Sequence, residues 1–503
     1  MEDAHYVDCP PSPVSLIESL RDVGYSMETA VSDTIDNSIT AQARRIWIRF
    51  SWNFDDPWVA IVDDGCGMSA DQLIEAMRFG SKNPRDTRPV HDLGRFGLGM
   101  KTAALSQCRH LTVLSKKARQ VAGCEWDLEK ISGNNNDQWR LGVLHTNRME
   151  QYSPLSQLYN EYLGEVPSGT IVLWQRMDRI MGQSPAEARE RLFDSVMADV
   201  RRHLELVFHR YLSPEPGMKK VTVSMNGSEL EAFNPFNPKS EATQELDEQR
   251  FTLSGEEIAV QPYVLPHHNK VSGPEYERYA MEGGYLQNQG LYIYRNKRLI
   301  IKGTWFRLIR KMELNKLIRI RVDIPNTLDH LWKIDVKKSS ASPPEAVRAE
   351  LKQILGAIEI KGRRVYEQRG QRLSAAAKYP VWNRRAAGGS ISYEVNREHP
   401  MLQQLLRVTP PEQQGLLQNM ICLLESKFPV EMFFNDIANK PEQVQNPEFD
   451  AARLEGVFDA FVAFWRQIGL SESEIRSTLL STEPFASNKE LAEALLTQRG
   501  AVP

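Results

Sequence analysis

The chain has 503 residues, 41% apolar and 25% charged, with a formal net charge of −3, which predicts two to four globular domains, each with its own core. No run approaches ~18 consecutive apolar residues, so no transmembrane helix is expected, and the acidic segment at Met1–Tyr6 has no apolar run behind a basic flank, which predicts no secretory signal. Five scattered cysteines without a C-x-x-C pair argue for reduced thiols in a cytoplasmic protein and against a disulfide frame or zinc site.

Taken in chain order, residues 15–25 and 26–41 read as helices, the second with apolar residues at helical spacing. Residues 46–50 and 58–62 read as strands, rich in β-branched and aromatic residues. A short helix is predicted over 70–79, a polar Pro- and Arg-containing loop over 80–93, a helix opening at Met100, and strands at 110–115 and 169–174. A long amphipathic helix is predicted over 186–212. A strand at 221–225 meets the hairpin signal Asn226-Gly227. A second hairpin is predicted over 290–301, turning at Asn296, then a strand at 316–324 and a charged helix over 343–373. The remainder reads as mostly helical, interrupted at 386–390 and at Pro410-Pro411. No internal repeat is present.

Three segments carry chemistry. Asp33 and Asn37 are spaced i,i+4 on one helical face. An ionised carboxylate there can orient a water and accept its proton, and an amide oxygen suits Mg²⁺, a hard cation that keeps several waters. Adjacent Asp36 is expected on the surface or behind the site. Asp63 closes an apolar strand and opens the sequence DDGCGM, where a buried carboxylate could accept from an exocyclic amine such as adenine N6. Gly65 and Gly67 would let the backbone pass close under a flat base; an ordinary Asp-Gly turn fits the same residues. The strongest segment is Gly94, Arg95, Phe96, Gly97, Leu98, Gly99, Met100, Lys101 and Thr102, where glycine amides at a helix start form an anion cradle. Lys101 adds a cation and Thr102 a hydroxyl. The spacing is neither that of a Walker loop nor that of a Rossmann fingerprint.

In this order, the segments resemble the Bergerat-fold (GHKL) ATPases, a superfamily that includes DNA gyrase, MutL, the ninety-kilodalton heat-shock chaperones, histidine kinases and the MORC proteins. The wording of the two glycine loops is most similar to the MORC and MORC-like bacterial branch. The resemblance implies ATP and Mg²⁺ as cofactors and an α+β fold. It implies a Bergerat-type α/β sandwich over 1–180, a connecting helix at 181–214, a transducer-like α+β domain at 215–345 and a helical region at 346–503. It makes Asp33 the water-activating base and Asn37 the Mg²⁺ ligand. Asp63 then reads the adenine, with Gly65, Gly67 and Met68 lining the base pocket and Thr170 behind it, while Gly94 to Thr102 wraps the phosphates. The family usually has Glu where Asp33 stands, one methylene longer, so hydrolysis is expected to be slow; Glu28 is not placed to substitute. Residues 80–93 correspond to the ATP lid, with Lys82 and Arg85 as contacts. Lys338 or Lys337 is the candidate for the second domain's lysine on the γ-phosphate.

From 291 to 385 the chain holds 23 Lys+Arg against 8 Asp+Glu, an excess of +15, whereas 386–503 holds 9 against 16. The basic residues Arg295, Lys297, Arg298, Arg307, Arg310, Lys311, Arg319, Arg321, Arg363 and Arg364 are interleaved with Tyr292, Tyr294, Trp305 and Phe306. This composition is expected to contact double-stranded DNA through its phosphates. The His267-His268 pair shows no metal spacing. The reading is an ATP-dependent, DNA-associated switch that forms a homodimer on binding ATP, with a bacterial restriction or antiphage role and a nuclease or other defence partner suggested by analogy. The alternative is a chaperone-like clamp on protein clients.

Overall fold

Strand β2 (Trp58–Asp63) is buried on both faces: Val59 and Ile61 enter one core, Ala60 and Val62 another. A continuous apolar run, not an alternating one, is what such a strand requires. Around it lie β1 (Arg45–Ser51), β3 (His110–Lys117), β4 (Gln120–Asp127), β5 (Gly142–Leu144), β6 (Gly169–Gln175), β7 (Thr222–Met225) and β8 (Ser228–Glu229), in the order β5-β4-β3-β6-β2-β1-β7-β8. All pairs are antiparallel except β1 with β7. The computed structural model describes residues 7, 9, 11–22, 24–53, 56–80, 99–133, 138–145, 153–181, 185–332, 343–356, 378–387, 390–433, 451–486 and 488–498.

Helices cover one face of this sheet. They are α1 (Pro13–Arg21), α2 (Met27–Thr40), α4 (Gly99–Gln107) and the long helix Ala186–Val207, and they bury Ile17, Val31, Ile35, Leu105, Phe193 and Val200 against Ile46, Ile61, Val113 and Trp174. Helix α3 (Ala70–Met77) adds Leu73 and Met77 to the same core. On the other face Leu155, Leu158 and Leu163 pack on Ala60, Val62, Ile171 and Leu173. Truncating Ile61 to Ala would cost roughly 2–5 kcal/mol by loss of burial plus the cavity left behind.

A second sheet follows in the same unit: β9 (Gln244–Glu245), β10 (Gln249–Leu253), β11 (Glu256–Val264), β12 (Gly290–Arg295), β13 (Arg298–Thr304) and β14 (Ile318–Ile324). Its order is β10-β11-β14-β12-β13, with β9 on β11 and with β12 and β14 parallel. The Asn226-Gly227 and Asn296-Lys297 turns both have two successive left-handed residues, the geometry that matches strand twist in a two-residue hairpin.

Several expectations need correction. Strand 221–225 belongs to the first sheet, paired parallel to β1, so that layer continues past the connecting helix. The predicted helix 186–212 breaks at Phe208 into Ala186–Val207 and His209–Leu212. Helix α1 ends at Arg21, before the left-handed Gly24. Of the two places expected for Asp36, the surface is excluded, since the residue is fully buried.

Contacts divide the chain into Met1–Gly356 and Ala357–Pro503. The second unit is not purely helical. It contains the antiparallel pair β15 (Trp382–Ala387) and β16 (Ser390–Val395), strands that meet the 386–390 interruption of the helical reading. Its helices Ala451–Gln467, Glu472–Leu479 and Lys489–Gln498 bury Phe458, Phe461, Trp465, Ile475 and Leu495. Among the described residues, no helix is long and apolar enough to cross a membrane.

Candidate functional site

Helix α2 starts at Ser26, whose hydroxyl accepts from the Thr29 amide, 3.4 Å. It is buried nearly all round: Val31 and Ile35 face the sheet, and Asp33, Thr34, Asp36 and Ser38 are also buried. Such a helix keeps polar residues inside only where each finds a partner. Asp33 accepts from Tyr25 Oη at 3.2 Å. Asn37 is exposed, and its Nδ2 donates to the Asp33 carbonyl at 3.0 Å, leaving its oxygen as the outward group.

Next in the chain after Asn37, Ser38 Oγ donates to Asp63 Oδ2 at 2.8 Å, and the Gly65 amide donates to Asp63 Oδ1 at 2.9 Å. Burial pushes the Asp63 carboxyl up to about 6, although both donors pull it down; neighbouring Asp64 adds to the rise. Asp64 itself has a bracing role, accepting from the Arg44 and Arg45 amides at 2.8 Å each. Asp63, Thr170 and Ser115 stand side by side across β2, β6 and β3. Ser115 Oγ lies 2.9 Å from Thr170 Oγ1 and accepts from the Met68 amide at 2.9 Å. Gly67 has φ +61, and a Cβ there would lie 1.9 Å from the Lys116 carbonyl oxygen; one at Gly65 would lie 2.8 Å from Asp63 Oδ1. At these two positions the chain passes so close to Lys116 and Asp63 that only glycine fits. The amino end of α4 lies beside α2, with Gly99 positioned so that a Cβ would lie 3.7 Å from Asp33 Oδ2.

Residues 25–160 match the family described as histidine kinase-, DNA gyrase B-, and HSP90-like ATPase. This segment is a GHKL ATPase domain. Over 89 residues the chain is also 29% identical to ATPase morc-1 of Caenorhabditis elegans, a match covering 18% of this chain and 10% of that protein. The chain therefore spans about a tenth of the length of that curated relative.

Within the ATPase domain, Asp33, Asn37, Asp63, Gly65, Gly67, Met68, Gly99, Met100, Lys101, Thr102 and Thr170 fall within the described residues. Gly94, Arg95, Phe96, Gly97, Leu98, Lys82, Arg85, Lys337 and Lys338 lie outside them. Lys101 is buried, and its Nζ donates to the Ala76 and Arg78 carbonyls, 2.7 Å each, at the carboxyl end of α3. It also stands 5.9 Å from the Phe79 ring centre. A cation at that helix end satisfies carbonyls left open by the last turn. Thr102 is buried, its Oγ1 donating to the Gly99 carbonyl at 3.4 Å.

The basic stretch of the second sheet differs most from expectation. Arg295 is buried and forks onto Asp329, with Nη2 to Oδ2 at 2.7 Å. Arg319 is buried, donating to the Pro235 carbonyl at 2.6 Å and the Tyr279 carbonyl at 2.5 Å. Arg321 is held by Asp323 and Glu248. Tyr292, Tyr294 and Trp305 are core residues. Arg298 reaches back into the ATPase domain, Nε to Asp36 Oδ1 at 2.8 Å. Arg307, Arg310 and Lys311 remain exposed. Sequence reasoning missed Tyr25, Ser38, Ser115 and the Arg298–Asp36 pair; each is an ordinary residue type whose role depends on a distant partner.

The Asn37 amide oxygen fits Mg²⁺: it is a neutral, exposed oxygen donor that leaves most of the coordination shell to water and phosphate, which is this cation's habit.

Proposed function

We propose that the chain is an ATP-driven conformational switch that binds ATP with Mg²⁺ and hydrolyses it slowly. The observation that carries this reading is that one helix, α2, carries both groups of side chains the chemistry needs. Ser38 steadies the adenine-reading Asp63, next to it Asn37 is exposed, and Asp33 lies one turn before Asn37 on the same helix. The Asp63 carboxylate accepts from the adenine amine, with Gly65, Gly67 and Met68 beneath the base and Thr170 behind. Helix α4, opening at Gly99, offers amides to the triphosphate. Asp33 takes a proton from water as the water oxygen bonds the γ-phosphorus and the bridging oxygen leaves with ADP. Mg²⁺, held through Asn37, would neutralise charge on the phosphates. Lys337 or Lys338 is proposed to reach the γ-phosphate from the second sheet's side.

ATP-dependent homodimerisation, contact with double-stranded DNA and a defence role alongside a nuclease are the further parts of this reading, supported by resemblance and, for DNA, by exposed Arg307, Arg310 and Lys311. The chaperone-like clamp gains from the internal use of Arg295, Arg298 and Arg319, three of the basic residues expected on DNA.

Phosphate release measured on the native chain and on Asp33→Asn tests the central claim. Turnover lost with ATP still bound supports it; equal turnover in both moves the base elsewhere. Gel filtration with a nonhydrolysable ATP analogue, with and without duplex DNA, tests the dimer and the partner together.

A further inference from the structure

We propose that Arg298 is a positioning residue for ATP turnover, which holds the acid helix from the second sheet so that Asp33 is set for catalysis only while the β12–β13 hairpin is docked. The inference rests on Asp33 being the base.

Asp33 and Asp36 are both buried, three residues apart on one helix, where like charges repel. Arg298, only 3% exposed, comes from 262 residues away. Its Nε donates to Asp36 Oδ1 at 2.8 Å, and its Nη2 lies 3.6 Å from Asp33 Oδ1. One planar guanidinium thus faces both carboxylates, the kind of forked recognition lysine cannot supply. Its Cζ stands 5.7 Å from the Phe208 ring centre, at the break between the connecting helices, which fixes the guanidinium plane. Had the contact served only to dock the two sheets, Asp36 alone would satisfy it.

The hairpin that carries Arg298 is itself held. Tyr211 Oη donates to the Asn296 carbonyl at 2.5 Å, in the turn just before Arg298. On the strand before the turn, Arg295 forks onto Asp329, in the short helix Asp329–Trp332. A two-residue turn therefore has an arginine on each side, one bound to Asp36 of α2 and one to Asp329. Movement of the second sheet would move the partner of the acid.

The test uses the full chain with Arg298→Met, Asp36→Asn, the double variant, Arg298→Lys and the Asp33→Asn control. Arg298→Met takes the shared cation from two buried carboxylates and Asp36→Asn takes the nearer carboxylate from the cation, so each should lower Tm, whereas removing both should restore part of it. The inference expects the double variant to bind ATP within about threefold of the native Kd yet to turn over at least about tenfold more slowly, a kcat effect without a matching KM effect. Arg298→Lys should fall between native and Arg298→Met. A double variant that is stable and hydrolyses ATP within about threefold of the native rate overturns the inference, because Arg298 then only holds the fold. Should the single variants fail to fold, the double variant still decides. Equal turnover in native chain and Asp33→Asn removes the base assignment itself, a separate failure recognisable from the control alone.

Discussion

Ser38 and Asp63, 25 residues apart, form a hydrogen bond of 2.8 Å that ties the end of the acid helix to the end of the central strand. Because the hydroxyl donates, it favours the charged carboxylate that burial disfavours. The adenine amine would do the same, so nucleotide binding and deprotonation of Asp63 are linked. The free folded chain holds the Asp63 carboxyl at about 6 against an ordinary 3.8. ATP affinity should therefore rise as pH climbs through about 6, with proton release on binding. Calorimetry in buffers of different ionisation enthalpy measures that release; its absence at pH 6 would remove the adenine role.

The same shift makes a stability prediction of opposite sense. A carboxyl whose folded value is raised binds its proton more tightly when folded, so its contribution is favourable at low pH and is lost as pH rises through about 6. Asp63→Asn, a neutral isostere, should melt above the native chain at pH 7.5, with the gap narrowing as pH falls below about 6 and closing near 3.8, while losing ATP. Ser38→Ala removes one donor and should cost about 1 kcal/mol together with several-fold weaker ATP binding.

Lys101 provides a sharper separation of roles. Its ammonium closes the carboxyl end of α3 through the Ala76 and Arg78 carbonyls. Lys101→Met leaves those acceptors without their donor and should lower stability by about 1–3 kcal/mol, seen as a fall in Tm without nucleotide. A variant with native Tm but lost ATP affinity would instead make Lys101 a phosphate ligand.

Much of the first layer was legible because local pattern and tertiary role coincide. The apolar run at 58–62 could only be a strand buried on both faces, and Asn226-Gly227 and Asn296 mark turns by their own tolerance of left-handed backbone. Strand β4 was not legible: its turn uses Ala118 and Arg119, both at positive φ, residues that signal nothing in sequence. The candidate site divides the same way. Asp33, Asn37, Asp63 and the glycines are read from spacing, whereas Ser115 and Arg298 act through partners 55 and 262 residues away. The basic count from 291 to 385 misled because composition cannot tell an arginine facing water from one facing a buried carboxylate.

Two glycines of the candidate site should respond differently to alanine. At Gly67 the backbone is left-handed and a Cβ would meet the Lys116 carbonyl oxygen at 1.9 Å. Gly67→Ala therefore costs about 1–2 kcal/mol in backbone strain before any clash, and should depress both Tm and ATP binding. At Gly99, in the first turn of α4, the nearest atom is Asp33 Oδ2 at 3.7 Å, an ordinary contact. Gly99→Ala should keep or raise Tm, by up to about 1 kcal/mol from helix propensity, and lower ATP affinity by its methyl beside Asp33. Differential scanning fluorimetry with and without ATP separates the two.

If DNA is the partner, the contacts must come from cations that are not already committed. Arg295, Arg298 and Arg319 are buried on Asp329, Asp36 and backbone carbonyls, so replacing them tests internal packing and says nothing of DNA. Arg307 and Arg310 are exposed, in the segment that follows β13. Each phosphate contact contributes about −0.9 to the slope of log Kobs against log salt, so Arg307→Glu with Arg310→Glu should flatten that slope by about 2 units for duplex DNA. Tm and ATP turnover should stay native, because neither residue supports the core or the candidate site. An unchanged slope in a folded double variant would place any DNA contact elsewhere; salt-independent binding by the native chain would favour the protein-clamp reading instead, since an apolar or mixed surface has few counterions to release.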